Sequence, residues 1–304
     1  MTREELNEGI QKEIENEQKK ETKKRIIKKT VKIICLILLF STCFYAYTTY
    51  ISTTKIKVRE YRIKNKKIPE NFKGIKIIQI SDLHFGSTIL NDEVKKIKKI
   101  VNDRKPDIIL FTGDLIEPNY NISKKDQENL TTNLKELNTS LGKYAILGDE
   151  DNEKNATILS QSNFTVLRNE YDLIYSKSNT PILLIGLSSI EKNQDIEKAY
   201  QYFKEPTHNS DIYTITILHE PDVVDNIINT YPTDLFLAGH SHNGNIRIPI
   251  IKYSPFKAKN AKKYTQDYYK INNSKLYISS GLGTEKGIRL FCRPSINFFR
   301  LSTK

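Results

Sequence analysis

Two kinds of hydrophobic pattern divide the chain. The first is one uninterrupted apolar run at residues 33–54, where 22 positions carry no charge and Ile, Leu, Phe and Cys dominate. At about 1.5 Å per residue, a helix of that length crosses a hydrocarbon layer of roughly 30 Å. Tyr45, Tyr47 and Tyr50 cluster at its far end, as interfacial aromatics do. A buried core helix would be amphipathic, and a signal peptide would have a shorter apolar stretch before a small-residue cleavage site. The run therefore predicts an uncleaved membrane-spanning helix.

From about Gly74 the pattern changes to short β-branched runs alternating with helical stretches. Residues 74–81 (GIKIIQIS) and 107–112 (DIILFT) read as buried strands. Between them, residues 91–102 have helical spacing at Val94, Ile97, Ile100 and Val101. A second helix is expected at 123–138 and a third strand at 144–147. Further strands are expected at 164–167, 181–187, 211–218, 234–238, 275–279 and 296–301. Strand–helix–strand alternation argues for an α/β domain with a buried sheet.

Composition narrows the class. With 304 residues and 38% hydrophobic positions, the chain has material for a full core, which excludes disorder throughout. A mean hydropathy of −0.52 excludes a polytopic membrane protein. Three cysteines exclude a disulfide-stapled scaffold and a paired-Cys zinc site. The net charge of +12 is unevenly placed: residues 1–32 hold ten Lys/Arg against seven Glu, and residues 55–67 hold seven against one. The excess thus flanks the apolar run and leaves the remainder near neutral, which argues against a nucleic-acid partner.

The expected organisation is a charged helical tail at 1–32, a transmembrane helix at 33–54, a basic connector at 55–73 and a globular domain at 74–304. Eight Lys/Arg precede the span at Lys19–Lys32 and seven follow it at Lys55–Lys67. That small bias places the tail inside and the domain outside the cell membrane. The basic flanks are suited to anionic lipid headgroups.

The chemistry gathers at strand ends. The first strand runs into Ser81-Asp82-Leu83-His84, the second into Gly113-Asp114 and the third into Gly148-Asp149-Glu150-Asp151. Later strands end in His219-Glu220 and in Gly239-His240-Ser241-His242. Carboxyl ends of strands in open α/β sheets are where ligands bind. Four of the five histidines sit there with three aspartates, and His208 stands apart in a loop. Imidazole with carboxylate is a ligand set for Zn, Fe or Mn. Each piece alone is commonplace; the ordered combination is not.

That order, Asp82-x-His84, Gly113-Asp114, Gly148-Asp149-Glu150-Asp151, His219, Gly239-His240-x-His242, resembles the calcineurin-like metallophosphoesterase family, and most of all its membrane-anchored bacterial branch. The resemblance covers roughly residues 74–301. It implies a four-layer α/β sandwich of two mixed β-sheets flanked by helices. It also implies two divalent metal ions, one held by Asp82, His84, Asp114 and His242 and the other by Asp114, Asp149, His219 and His240. A hydroxide bridging the metals would attack a phosphodiester or phosphomonoester. The substrate would be a phosphate ester, lipid-linked or envelope-derived if the domain works at the membrane surface.

One block departs from the family, which has Gly-Asn-His-Asp/Glu where this chain has Gly148-Asp149-Glu150-Asp151. Asp149 takes the place of a metal-binding Asn. Glu150 takes that of a histidine expected to help the leaving group, so Glu150 and Asp151 become the candidate catalytic residues. An anionic Glu150 would repel phosphate, and losing general-acid help costs ~10²–10⁴-fold. A catalytically weakened metal-binding domain and a metal-dependent nuclease therefore stand as alternatives. Gly281-Leu282-Gly283-Thr284 resembles the family's late Gly-rich turn, Arg289 is a candidate phosphate contact, and Cys292 reads as an inert buried thiol.

Overall fold

The computed structural model describes residues 2–248, 254–285 and 287–303 and divides into two units, Met1–Thr48 and Thr49–Lys304. The first unit is one helix, Arg3–Ala46, charged in its first half and apolar in its second. Among the described residues, one helical stretch, Leu6–Thr54, is long and apolar enough to cross a membrane, with a mean hydropathy of 1.8 in its best window.

The second unit contains two six-stranded mixed sheets. The first has the order β1-β12-β2-β3-β4-β5, with β1 Lys57–Lys64, β2 Lys76–Ile80, β3 Ile108–Thr112, β4 Gly142–Ile146, β5 Thr165–Val166 and β12 Ser295–Ser302. Strands β2 to β5 are parallel, β12 is antiparallel to β2, and β1 is parallel to β12. The second sheet has the order β10-β11-β9-β8-β7-β6. Its strands are β6 Glu170–Ile174, β7 Ile182–Gly186, β8 Thr214–Ile217, β9 Leu235–Ala238, β10 Tyr268–Ile271 and β11 Ser274–Ile278. Here β7, β8, β9 and β11 are parallel and the two edge strands antiparallel.

The period of two along each strand builds the layers. In β3, Ile108 and Leu110 face the second sheet, whereas Ile109 and Phe111 face the helices. The partners of Ile109 and Phe111 include Val94, Ile97 and Val101 of helix Asn91–Asp103 and Leu130 and Leu134 of helix Lys124–Lys135. In β9, Leu235 and Leu237 face the inter-sheet core, and Phe236 and Ala238 pack with Val223, Val224 and Ile227 on the outside. Each such Leu or Ile stabilises the fold by about 1.5–3 kcal/mol. The result is the four-layer sandwich that the family resemblance implies.

Four segments differ from expectation. The basic connector is no linker over most of its first half: Lys57–Lys64 is an edge strand paired in register with Ser295–Ser302. Its half-exposed, charge-rich pattern is how edge strands resist aggregation, and that pattern hides it from a hydrophobicity reading. Strands β6 and β10, also edges, were not anticipated for the same reason. Helix Glu153–Gln161 was missed as well. It starts at Asn152, whose side chain accepts the N–H groups of Lys154 and Asn155.

Candidate metal centre

All seven donors lie on turns that leave the carboxyl ends of parallel strands. Asp82 and His84 follow β2, Asp114 follows β3, Asp149 follows β4, His219 follows β8, and His240 and His242 follow β9. The turns are tight enough to force five of the seven into left-handed backbone: Asp82 (φ 49), His84 (φ 42), Asp114 (φ 60), His240 (φ 62) and His242 (φ 44). Such conformations cost of order 1 kcal/mol or more each and concentrate at functional sites. Close approach also dictates the glycines. A Cβ on Gly113 would lie 2.5 Å from His219 Nδ1, and one on Gly148 would lie 2.1 Å from Asp114 Oδ1.

The donors form two adjoining groups. In the first, Asp114, Asp149, His219 and His240 bring ligand atoms within 4.8 Å of one another; in the second, Asp82, His84 and His242 do so. His219 Nε2 lies 3.1 Å from Asp114 Oδ2 and 2.9 Å from Asp149 Oδ1, and His240 Nδ1 lies 3.1 Å from Asp149 Oδ1. In the second group His84 Nε2 faces His242 Nε2 at 3.2 Å, and His242 Nε2 is 3.5 Å from Asp82 Oδ1. Asp114 Oδ2 is also 3.9 Å from His84 Nε2, so this one oxygen faces both groups.

These residues fit a pair of cations. Asp82 Oδ2 is buried without a hydrogen-bond partner, and His219 Nε2 and Asp149 Oδ1, although 2.9 Å apart, are not aligned as donor and acceptor, which is costly for buried polar atoms unless a ligand takes them up. The far nitrogens of three rings are anchored: His219 Nδ1 on Thr112 O at 2.6 Å, His240 Nε2 on Lys259 O at 2.7 Å, and His84 Nδ1 on Glu117 Oε2 at 3.1 Å. Such contacts fix the tautomer and turn the other nitrogen's lone pair toward the centre. Burial works to raise the Asp149 carboxyl, but His219 and His240 hold it well below the usual carboxylate range. Burial likewise raises Asp82, where it prevails.

The remaining expected residues are placed differently. Glu150 lines the cavity beside the donors and sets Oε2 3.2 Å from His84 Nδ1, and burial pushes its carboxyl up. Asp151 is corrected from a catalytic to a scaffolding position. It is fully buried, and its oxygens accept the N–H groups of Asp114 (2.8 Å), Leu115 (2.8 Å) and Gly148 (2.9 Å) and the Asn155 amide (2.7 Å). Arg289 is corrected too. It is wholly buried, donating to the carbonyls of Ser280, Gly281, Gly283 and Cys292, with Nη2 3.4 Å from His242 Nδ1. No phosphate reaches it there.

The late Gly-rich turn grips the Asp82 loop, since Gly283 N–H donates to Asp82 O at 2.8 Å. Cys292 is buried, as expected, and burial pushes its thiol up. His208 lies away from the donors, stacked on Tyr202. Sequence reasoning passed over Glu117, which shares His84 Nδ1 with Glu150, and Lys257, which lines the cavity. The cavity, of about 140 Å³, opens over Asp114, Asp149 and His240 and is walled by Asn245, Phe256 and Glu285.

Comparison with known proteins agrees with this geometry. The family model described as calcineurin-like phosphoesterase matches residues 75–244. The uncharacterized metallophosphoesterase YkuE of Bacillus subtilis is 30% identical over 85% of this chain and 90% of its own length. The phosphodiesterase YaeI of Escherichia coli is 26% identical, covering 76% of this chain and 84% of that protein. The UDP-2,3-diacylglucosamine pyrophosphatase LpxG of Chlamydia muridarum is 26% identical, covering 77% and 86% respectively.

Proposed function

The chain belongs to the calcineurin-like phosphoesterase family, a family of hydrolases, and from that premise we propose that it is a membrane-anchored, two-metal phosphoesterase acting on phosphodiesters or phosphomonoesters. Asp82, His84, Asp114 and His242 would hold one divalent metal, and Asp114, Asp149, His219 and His240 the other, with Mn, Fe and Zn all matched by the donor set. The observation that carries this reading is Asp114 Oδ2, 3.1 Å from His219 Nε2 and 3.9 Å from His84 Nε2, where one carboxylate serves both groups.

When bound, the metals would acidify a water and offset phosphoryl charge. Hydrolysis adds water to phosphorus, breaks the ester P–O bond and delivers a proton to the departing oxygen. The chain's own residues set the conditions for this. Thr112 O, Lys259 O and Glu117 orient three imidazoles, and Asp151 fixes the Asp114 turn. Among the described residues Lys257 lines the cavity wall; its ammonium donates to Lys262 O at 3.1 Å and would have to leave that carbonyl to meet a phosphoryl oxygen, which buried Arg289 does not reach. Glu150 is drawn to His84 Nδ1, which offsets part of its repulsion toward phosphate.

The span and the domain's extracytoplasmic placement belong to the same proposal, supported by the long apolar helical stretch Leu6–Thr54 and the lysines before its apolar half. Protease added to intact cells is expected to digest the domain, and a protected domain refutes the orientation. The central experiment is hydrolysis of bis(p-nitrophenyl) phosphate by the detergent-solubilised full chain loaded with Mn, Fe or Zn. Absence of turnover with every metal refutes the enzyme reading. A weakened metal-binding domain is favoured instead if Glu150→His alone raises turnover from near zero.

A further inference from the structure

Strand directions give the metal centre an address relative to the point where the chain joins the folded unit. Donors follow the carboxyl ends of β2, β3 and β4. Strand β12 is antiparallel to β2, pairing Asn297 with Gln79 and Arg300 with Lys76, so it begins at the donor edge. Strand β1 is parallel to β12, pairing Lys57 with Ser295, so it begins there as well. The chain coming from the apolar run therefore reaches its domain at the edge that carries the donors.

The arrival is short and fixed. Only three steps separate Thr54 from Lys57, at most about 10 Å of chain. Ser52 and Thr53 are buried, Lys57 N–H donates to Pro294 O at 2.7 Å, and Arg293 Nε donates to Lys55 O at 3.0 Å.

The loop that receives this segment also reaches the site. Leu290 pairs with the Asn245–Arg247 stretch through two backbone hydrogen bonds, Arg289 approaches His242, and Cys292 Sγ lies 3.1 Å from His242 O. Between them Phe291 is 60% exposed at φ 54, a left-handed conformation that a bulky residue adopts only under constraint. Ile248, beyond the paired stretch, and Phe256, on the cavity wall, are exposed too. Lys55, Lys57 and Arg293 add positive charge to the same loop junction. Exposed apolar side chains beside basic ones suit a bilayer surface with anionic headgroups. The cavity, about 140 Å³, is smaller than ordinary small-molecule pockets, so it admits a phosphoryl group while the rest of a larger substrate stays outside against the rim.

We infer that the metal centre opens toward the bilayer crossed by the N-terminal span, and that it takes phosphate esters carried by lipids at that surface. This rests on the proposed span and hydrolytic activity. The chain has no tryptophan, which permits a direct test with the full-length protein in vesicles of phosphatidylcholine and phosphatidylglycerol bearing brominated acyl chains. Tyr175, exposed and following Ile174, which pairs with the first residue of β7, lies at the opposite edge. Fluorescence of the Phe291→Trp chain is expected to be quenched several-fold more than that of the Tyr175→Trp chain; equal quenching, or more at position 175, overturns the orientation.

A second arm compares turnover of phosphatidyl-p-nitrophenol in the vesicles with that of bis(p-nitrophenyl) phosphate in solution, which share a leaving group. Phe291→Asp is expected to lower the ratio of the two about tenfold, the scale of one aromatic side chain withdrawn from an apolar setting. An unchanged ratio overturns the lipid substrate. Failure of the metal-loaded chain on both esters defeats the hydrolytic reading, while the quenching arm still decides the orientation.

Discussion

His84 Nε2 and His242 Nε2 face each other across 3.2 Å. Two N–H groups, or two lone pairs, repel at that distance, so the pair is satisfied only with one proton or one cation between them. Burial and the charge of His84 push His242 well below the usual imidazole range. Burial also works against a charged His84, yet Glu117 and Glu150 on its Nδ1 lift it well above that range. In the metal-free protein the shared proton therefore belongs to His84. His219 is lifted likewise, where Asp114 and Asp149 outweigh burial.

Metal loading is therefore expected to release protons at pH 7. Because the folded values of His84 and His219 lie above the unfolded value of about 6.5, their protonation stabilises the metal-free fold fully below that pH. That contribution is lost as pH rises through the folded values, and metal affinity climbs over the same window. Calorimetric titration in two buffers of different ionisation heat measures the release; binding heats that do not depend on buffer contradict it.

Asp151 makes its contribution through Asp114. Its carboxylate takes three backbone N–H groups and one amide, each a charge-assisted bond worth about 1.5–3 kcal/mol. Asp151→Ala is expected to destabilise the protein by roughly 3–5 kcal/mol, since the orphaned donors are buried. Bound metal should fall with it. Denaturant unfolding and metal analysis read the two effects, and a fully metallated, stable Asp151→Ala protein would contradict the clamp.

Asp114→Asn and His240→Ala remove donors, one shared and one terminal, and each is expected to reduce turnover of an aryl phosphodiester by about 10³-fold. Gly148→Ala acts on the same site by volume alone. Its Cβ would stand 2.1 Å from Asp114 Oδ1, and displacing that carboxylate by about 1 Å is expected to cost roughly 10²-fold. Steady-state kinetics after metal reloading would expose either expectation as wrong if the variants match the parent.

Glu150→His bears on the departing group. A histidine supplies a proton where the carboxylate is held beside His84, so hydrolysis of an alkyl phosphodiester is expected to rise about 10²-fold. An activated p-nitrophenyl ester needs no such help and should change less than about threefold. Equal gains on both esters would mean that Glu150 impedes binding and not leaving-group protonation.

The donors were legible because each follows a short apolar run and because four of the five histidines keep that setting. Strands β2, β3, β4, β8 and β9 announced themselves as short β-branched or apolar runs, in keeping with burial of every residue but the first of β2 and of β4. Edge strands β1, β6 and β10 did not, since one side of each meets solvent and the alternation blurs. Asp151 and Arg289 were misassigned for a different reason. A carboxylate next to a metal-binding motif, or an arginine near a Gly-rich turn, looks the same in one dimension whether it faces the cavity or the backbone behind it.

Local spacing along the chain was enough to single out the α/β alternation, the apolar run and the seven candidate donors, because periodicity and residue type are properties of near neighbours. Which donors share an oxygen, which backbone carbonyls hold the imidazoles, and at which edge the chain arrives were decided only by folding. Those relationships join residues such as His84 and His242, 158 positions apart, and depend on strand order and direction, to which no short segment is sensitive.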